Sequence, residues 1–172
     1  LGKLGTLLPE NMNSVCFAYS YIKPIDLSLL QIFLKQIPNP YPTIVKTKCF
    51  PIKKIMRDAF KTKEDSSPFE ILLQQLIPQL IPTVYLEGYQ DMHYRSLSAL
   101  PKKPKLIYTT NALYGDEGFK FWAAWHVMRG SILITSQHGG HYGIGKWDAR
   151  EKHEIKVADR HFTWGWSEKD AV

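Results

Sequence analysis

The chain beyond Pro104 alternates between two residue periodicities, and that alternation restricts its fold more than any other feature. Lys105–Thr110 (Lys-Leu-Ile-Tyr-Thr-Thr) reads as a strand, and Asp116–Arg129 as a helix closed by Gly130. Ser131–Ser136 is a second strand, followed by a loop over Gln137–Trp147. Asp148 then caps a helix with Glu151 at its third position and with Lys152 one turn on as an ion-pair partner. That helix runs to Ala158, and Arg160–Trp164 forms a third strand. Strand, helix, strand, helix, strand at this spacing requires a parallel sheet with crossover helices. The expected class is α/β: a Rossmann-like three-layer domain. Its middle helix is apolar on two faces, with Phe119, Trp122, Ala123, His126 and Val127 on one, and Phe121, Trp125 and Met128 on the other. Such a helix is expected to be buried on both sides.

The earlier part reads differently. Residues 1–98 form a mostly helical N-terminal part, joined near 98–104 (Ser-Ala-Leu-Pro-Lys-Lys-Pro) to the β-α-β-α-β unit of 99–172. Asp26 is the expected cap of a helix carrying Leu29, Leu30, Phe33 and Ile37, stopped by Pro38, Pro40 and Pro42. Residues 43–50 alternate β-branched side chains and read as a strand. Ser67-Pro68-Phe69-Glu70 is a capping box. It opens a helix with the stripe Phe69, Leu72, Leu73, Leu76 and Ile77, which Pro78 and Pro82 break or kink. Residues 83–97 form another helix, with Glu87, Tyr89 and His93 at its centre.

Of 172 residues, 44% are hydrophobic and 22% charged, which excludes a disordered chain and fits one ordinary domain, with or without an extension. The net charge of +6 has no basic tail behind it. The cluster Lys46, Lys48, Lys53, Lys54, Arg57, Lys61 and Lys63 reads as a solvated face before it reads as a nucleic-acid site, and no nucleic acid is expected as partner. Cys16 and Cys49 rule out a disulfide framework and fit a reducing compartment. No apolar run is long enough for a membrane span, and no signal peptide is visible. A cytoplasmic protein is expected. The chain opens on Leu1 and ends soon after Trp164-Gly165-Trp166, so it reads as a fragment.

Chemistry concentrates in the loop. Four of the eight residues from His138 to Gly145 are glycine, interleaved with His138, His141 and Tyr142 and followed by Lys146. Ligands bind beyond the carboxyl ends of parallel strands, and glycine lets backbone N–H groups approach them closely. The helix start near Ala149 adds positive potential suited to phosphate. Trp147 in place of Ser/Thr excludes a Walker loop, and Asp148 breaks a dinucleotide fingerprint. A metal cluster of His138 and His141 with His153 or Glu151 is conceivable, but its spacing fits no common zinc pattern, and no metal or cofactor is expected.

His138, directly after a strand, is placed to serve as a general base, the alternative being a structural hydrogen bond across the loop. His126 reads as a core histidine, and Glu87 and Tyr89 as weaker site candidates. Asp159 either orients a histidine or binds sugar hydroxyls, or else caps the preceding helix or pairs with Arg160. Trp164 and Trp166 suit stacking on sugars or bases, and equally core packing.

Gln137-His138-Gly139-Gly140-His141-Tyr142-Gly143, then Glu151 or Glu154, then Ala158-Asp159 and Trp164-Gly165-Trp166, resemble a bacterial family of transferases of surface-carbohydrate biosynthesis. The resemblance runs from Pro82 to Trp166 and includes Leu86-Glu87-Gly88-Tyr89. More distantly, a strand ending in Gln-His-Gly is similar to teichoic-acid glycerophosphotransferases and capsule sugar transferases. The resemblance implies one part of a two-domain GT-B-like enzyme with a nucleotide-activated sugar or polyol donor, a glycan acceptor, and work at the inner face of the membrane. It implies His138 as catalytic base with the Gly139–Gly143 backbone near the donor phosphate, and Asp159 is the second catalytic candidate. Gln137, Gly139, Gly140, His141, Tyr142, Gly143, Lys146, Glu151, Trp164 and Trp166 are the substrate-binding candidates. The alternative is a non-catalytic α/β module that binds a nucleotide or sugar phosphate.

Overall fold

A computed structural model describes residues 14–39, 44–60 and 67–167. The chain divides into two compact units. One comprises residues 1–45 with 95–172, and the other is Lys46–Tyr94.

The first unit is built on a four-stranded parallel sheet: β1 (Val15–Ala18), β2 (Leu106–Thr109), β3 (Ile132–Ser136) and β4 (Arg160–Phe162), in the order β1-β2-β3-β4. The three strands legible beyond Pro104 are present. The sequence reading has no counterpart to β1, whose Val-Cys-Phe-Ala is too short to show a period of its own. Its place at the sheet edge comes from pairing, with Val15 opposite Leu106 and Ala18 opposite Thr109. The register then aligns Thr109 with Thr135 and Ser136 with Phe162, so all four strands end at one level. The order does not reverse within these strands, unlike a doubly wound sheet, whose ligand crevice forms at the reversal.

The unit's helices are α1 (Pro24–Phe33), the single turn α5 (Ala112–Gly115), α6 (Glu117–Val127) and α7 (Ala149–Val157). α1 starts ahead of the expected Asp26 cap: Pro24 takes the first turn, where its fixed φ suits a helix and its missing N–H costs nothing, and Asp26 lies inside that turn. It ends at Phe33, short of Ile37; Pro40 and Pro42 lie outside the described residues. Asp116 caps α6, accepting the Phe119 N–H at 2.9 Å, and Gly130 after it takes φ +94°. Phe119 and Trp122 are fully buried and His126 is buried, while Trp122 Nε1 donates to the Pro101 carbonyl at 2.7 Å. The expected second buried face is only partly formed: Phe121 is buried, whereas Met128 is exposed. Cys16, Ala18, Ile107 and Leu133 supply the sheet's share of the core.

The second unit holds α2 (Lys54–Arg57) and α3 (Pro68–Leu80), and its last residues begin α4 (Tyr89–Ala99). The capping box is formed in both directions: the Glu70 carboxylate accepts the Ser67 N–H at 2.7 Å, and Ser67 Oγ accepts the Glu70 N–H at 3.4 Å. α3 runs through Pro78 and stops at Ile81, before Pro82. Its stripe Phe69, Leu72, Leu73, Leu76 and Ile77 is exposed. Residues 44–50 form no strand, because alternation alone does not make one without a neighbour to pair with; Thr43 lies outside the described residues. A single turn at Thr83–Tyr85 and then α4 stand where one helix over 83–97 is expected, so Glu87 lies ahead of α4 rather than at its centre. Of the basic cluster, Lys61 and Lys63 lie outside the described residues, and Arg57 is buried rather than solvated. No helix among the described residues is long and apolar enough to cross a membrane.

Candidate functional site

The aligned carboxyl ends of β1 to β4 open onto a cavity of about 310 Å³, lined by Ser20, Tyr21, Tyr108, Thr110, Ser136, Gln137, His138, Phe162, Thr163 and Trp164. Every strand contributes the residues just beyond its end. The turn after β1 holds Tyr19 and Tyr21 at φ +48° and +53°, a conformation costly for residues with a Cβ. It is held from β2: the Thr110 hydroxyl donates to the Tyr19 carbonyl, and Asn111 Nδ2 donates to the Tyr21 hydroxyl at 2.9 Å.

Gln137 is a buried clamp, not an open ligand contact. Its Nε2 donates to the Gly139 carbonyl at 2.9 Å. Its Oε1 accepts from the Trp164 N–H at 3.0 Å and from the Trp166 indole at 2.8 Å. Gly165, at φ +103°, lets the chain turn between the two tryptophans. Trp166 is thereby tied down, and its indole lies where a side chain at Gly143 would reach. Trp164 stays 67% exposed at the cavity rim.

His138 follows directly, and its side chain is only 13% exposed. The rings of Tyr114 and Tyr142 stand 5.4 and 5.3 Å from its own. Burial lowers its pKa first, and the charges of His141 and Arg150 lower it further, so the imidazole is neutral at pH 7. His141 Nε2 meets the Asp148 carboxylate at 3.2 Å. Tyr142 is buried, its hydroxyl donating to Glu154 Oε2 at 2.5 Å, and its ring stacks on His161. Thr135 Oγ1 holds His161 Nδ1 at 2.8 Å.

Backbone N–H groups of the loop and of the helix start, where a donor phosphate is expected, are already engaged. Glu151 Oε1 accepts the Gly143 N–H at 3.0 Å, so Glu151 shapes the loop. Asp148 caps α7 by accepting the Arg150 and Glu151 N–H groups at 2.9 and 3.3 Å. Lys152, expected beside Asp148, lies 5.3 Å above the Trp147 ring instead. Lys146 is exposed, as are Arg150 and Gly140. A side chain at Gly139 would strike the His141 ring at 2.8 Å. Asp159 stands at the other end of the sheet. It accepts the Leu133 N–H at 2.7 Å and donates its own N–H to the Leu133 carbonyl at 2.9 Å, tying β4 to the start of β3. It is not among the cavity residues. Glu87 and Tyr89 belong to the other unit. Among the described residues no three His, Cys, Asp or Glu side chains are grouped as a metal ion requires.

A family model described as LIC12162 family transferase matches residues 3–172. The chain belongs to the LIC12162 transferase family. No curated protein and no solved structure matches it. In this LIC12162-family chain, sequence reasoning missed Tyr114, Tyr21, Tyr108 and Thr110, and quoted Glu154 only as an alternative to Glu151 in the family pattern. Tyr21 and Thr110 were findable once the strands were known, because each lies just past a strand's carboxyl end. Tyr114 carries no such signal, and only folding brings it and Glu154 beside His138.

Proposed function

We propose that this chain forms one half of a two-domain, GT-B-like transferase of surface-carbohydrate biosynthesis. In this reading it moves a sugar or polyol phosphate from a nucleotide-activated donor to a glycan hydroxyl, with His138 as general base. The observation that carries this is the setting of His138: directly after β3, on the wall of the cavity, with burial keeping its imidazole neutral. A neutral imidazole near pH 7 is the side chain best matched to taking a proton from an attacking hydroxyl.

In the proposed step the acceptor O–H bond breaks and its proton passes to His138. The acceptor oxygen bonds to the electrophilic carbon or phosphorus of the donor. The bond from that atom to the leaving group breaks, and its electron pair departs with the nucleotide phosphate. The exposed Tyr21, Phe162 and Trp164 offer ring faces for a sugar, and Tyr108, Thr110 and Ser136 offer hydroxyls for its polar edge. Lys146, Arg150 and Lys152, exposed around the loop, are the proposed partners of the donor phosphates. Asp159 has a structural part only.

The test is thermal melting of the full-length protein with a panel of nucleotides and nucleotide-activated sugars. One nucleotide class is expected to raise the melting temperature of both wild type and His138→Ala, because a base is not needed for ground-state binding. No shift with any member of the panel contradicts the reading.

A further inference from the structure

We propose that Glu154 is the positioning residue of His138: its carboxylate holds the Nε2 edge of the imidazole, leaving Nδ1 to take the acceptor proton, and neutralises the imidazolium that results. This rests on the reading of His138 as base.

Glu154 lies on α7, a helix with exposed residues on most of its surface, yet its side chain is only 1% exposed. A carboxyl group placed there needs partners for both oxygens. Oε2 has one, the Tyr142 hydroxyl at 2.5 Å, a length characteristic of a hydroxyl donating to an ionised carboxylate. Oε1 is buried without a hydrogen bond, and so is His138 Nε2. These two unpartnered atoms face each other at 3.6 Å, a few tenths of an ångström beyond hydrogen-bond length. An Nε2–H on His138 is a donor aimed at Oε1, and the Tyr114 hydroxyl is a second group that favours the charged carboxylate.

The surrounding groups pull in both directions. Around His138, the charges of His141 and Arg150 oppose protonation and Asp148 favours it. The rings of Tyr21, Tyr114, His141 and Tyr142 pack around it. Around Glu154, burial raises the pKa first and Asp148 adds to this, while Tyr142, Tyr114 and His153 favour the charged form. A purely structural acceptor for Tyr142 requires no charge; a glutamine oxygen serves equally. The proposal assigns a charge at this position to the imidazolium it faces at 3.6 Å.

The experiment is NMR titration of the histidine side chains in the full chain, for wild type, Glu154→Gln and Glu154→Asp, with melting temperature measured alongside. In a folded Glu154→Gln protein the His138 midpoint is expected to fall by about one pH unit or more, with His126 unmoved and Glu154→Asp restoring part of the shift. An unchanged His138 midpoint overturns the proposal. Should Glu154→Gln not fold, wild type alone decides through the nitrogen shifts of neutral His138: the Nε2–H tautomer is expected, and the Nδ1–H tautomer overturns it. Neither readout uses turnover. A paired His138 in an enzyme whose His138→Ala variant keeps full activity removes the base role, not the pairing.

Discussion

Two buried carboxylates in this protein are treated in opposite ways. In the unit Lys46–Tyr94, Glu87 has a fully buried side chain and both of its oxygens are bonded. Oε1 accepts from Arg57 Nε at 2.7 Å and from the Lys53 N–H at 3.0 Å, and Oε2 accepts from Arg57 Nη2 at 2.9 Å. Arg57 also donates to the Pro78 and Ile81 carbonyls. The Arg57 guanidinium holds the Glu87 carboxyl down at about 2. In the unit containing the sheet, Glu154 is equally hidden, but burial pushes its pKa up and one oxygen has no donor. A pair that only holds the fold together is fully bonded. The pair beside the cavity, Glu154 with His138, stands at 3.6 Å instead.

The largest expected effect breaks the bonded pair. Glu87→Ala leaves a buried guanidinium without its counter-charge and is expected to lower the melting temperature by about 10 °C or more. Glu154→Gln is expected to lower it by only a few degrees, since Tyr142 keeps an acceptor. Equal losses in the two variants erase the distinction.

Acid separates the units next. His126, His138 and His161 have pKa values lowered from 6.5 in the folded chain, mainly by burial. The unfolded chain therefore takes up protons first as pH drops below 6.5, and this part of the stability is lost on acidification. Glu154, raised, partly opposes the loss. Glu87 contributes stability above its ordinary 4.5 that is lost only as pH falls towards about 2. Hydrogen exchange between pH 7 and pH 3 should show the sheet unit weakening before Lys46–Tyr94. The reverse order contradicts the assignment of the two pairs.

A smaller effect concerns the clamp next to His138. Gly165→Ala meets no neighbouring atom but must adopt φ +103°, and is expected to cost about 1 kcal/mol or more in unfolding experiments. The smallest effect is kinetic. Cys49 is exposed, whereas Cys16 is buried with its thiol pushed up to about 12. Thiol labelling at pH 8 should therefore modify Cys49 rapidly and Cys16 only when β1 opens, making Cys16 a local reporter of the acid-sensitive unit.

What the sequence made legible was what local rules govern. The β2, β3 and β4 strands, the Asp116 and Asp148 caps, the capping box at Ser67 and the turn glycine Gly130 each follow from a few neighbouring residues. What it hid was set by distant pairing. β1 is four residues long and is a strand because β2 is there. Residues 44–50 have strand-like alternation and find no neighbour. The site follows the same line. His138 was legible because it directly follows a strand in a glycine-rich loop. Of the residues read as ligand contacts, Glu151 is committed to the loop and Gln137 to the segment of Trp164 and Trp166, and Asp159 is committed to the far end of the sheet, because N–H groups within reach took their oxygens first. Glu154 sits three residues past Glu151 on the same short helix, and only the burial of that face separates their roles.

The most direct test of the account is nucleotide release by the full-length protein from the donor class that shifts its melting temperature, compared between wild type and a folded His138→Ala variant. Turnover is expected to fall by about two orders of magnitude or more while donor binding is kept. His138→Ala turning over at the wild-type rate contradicts the central claim.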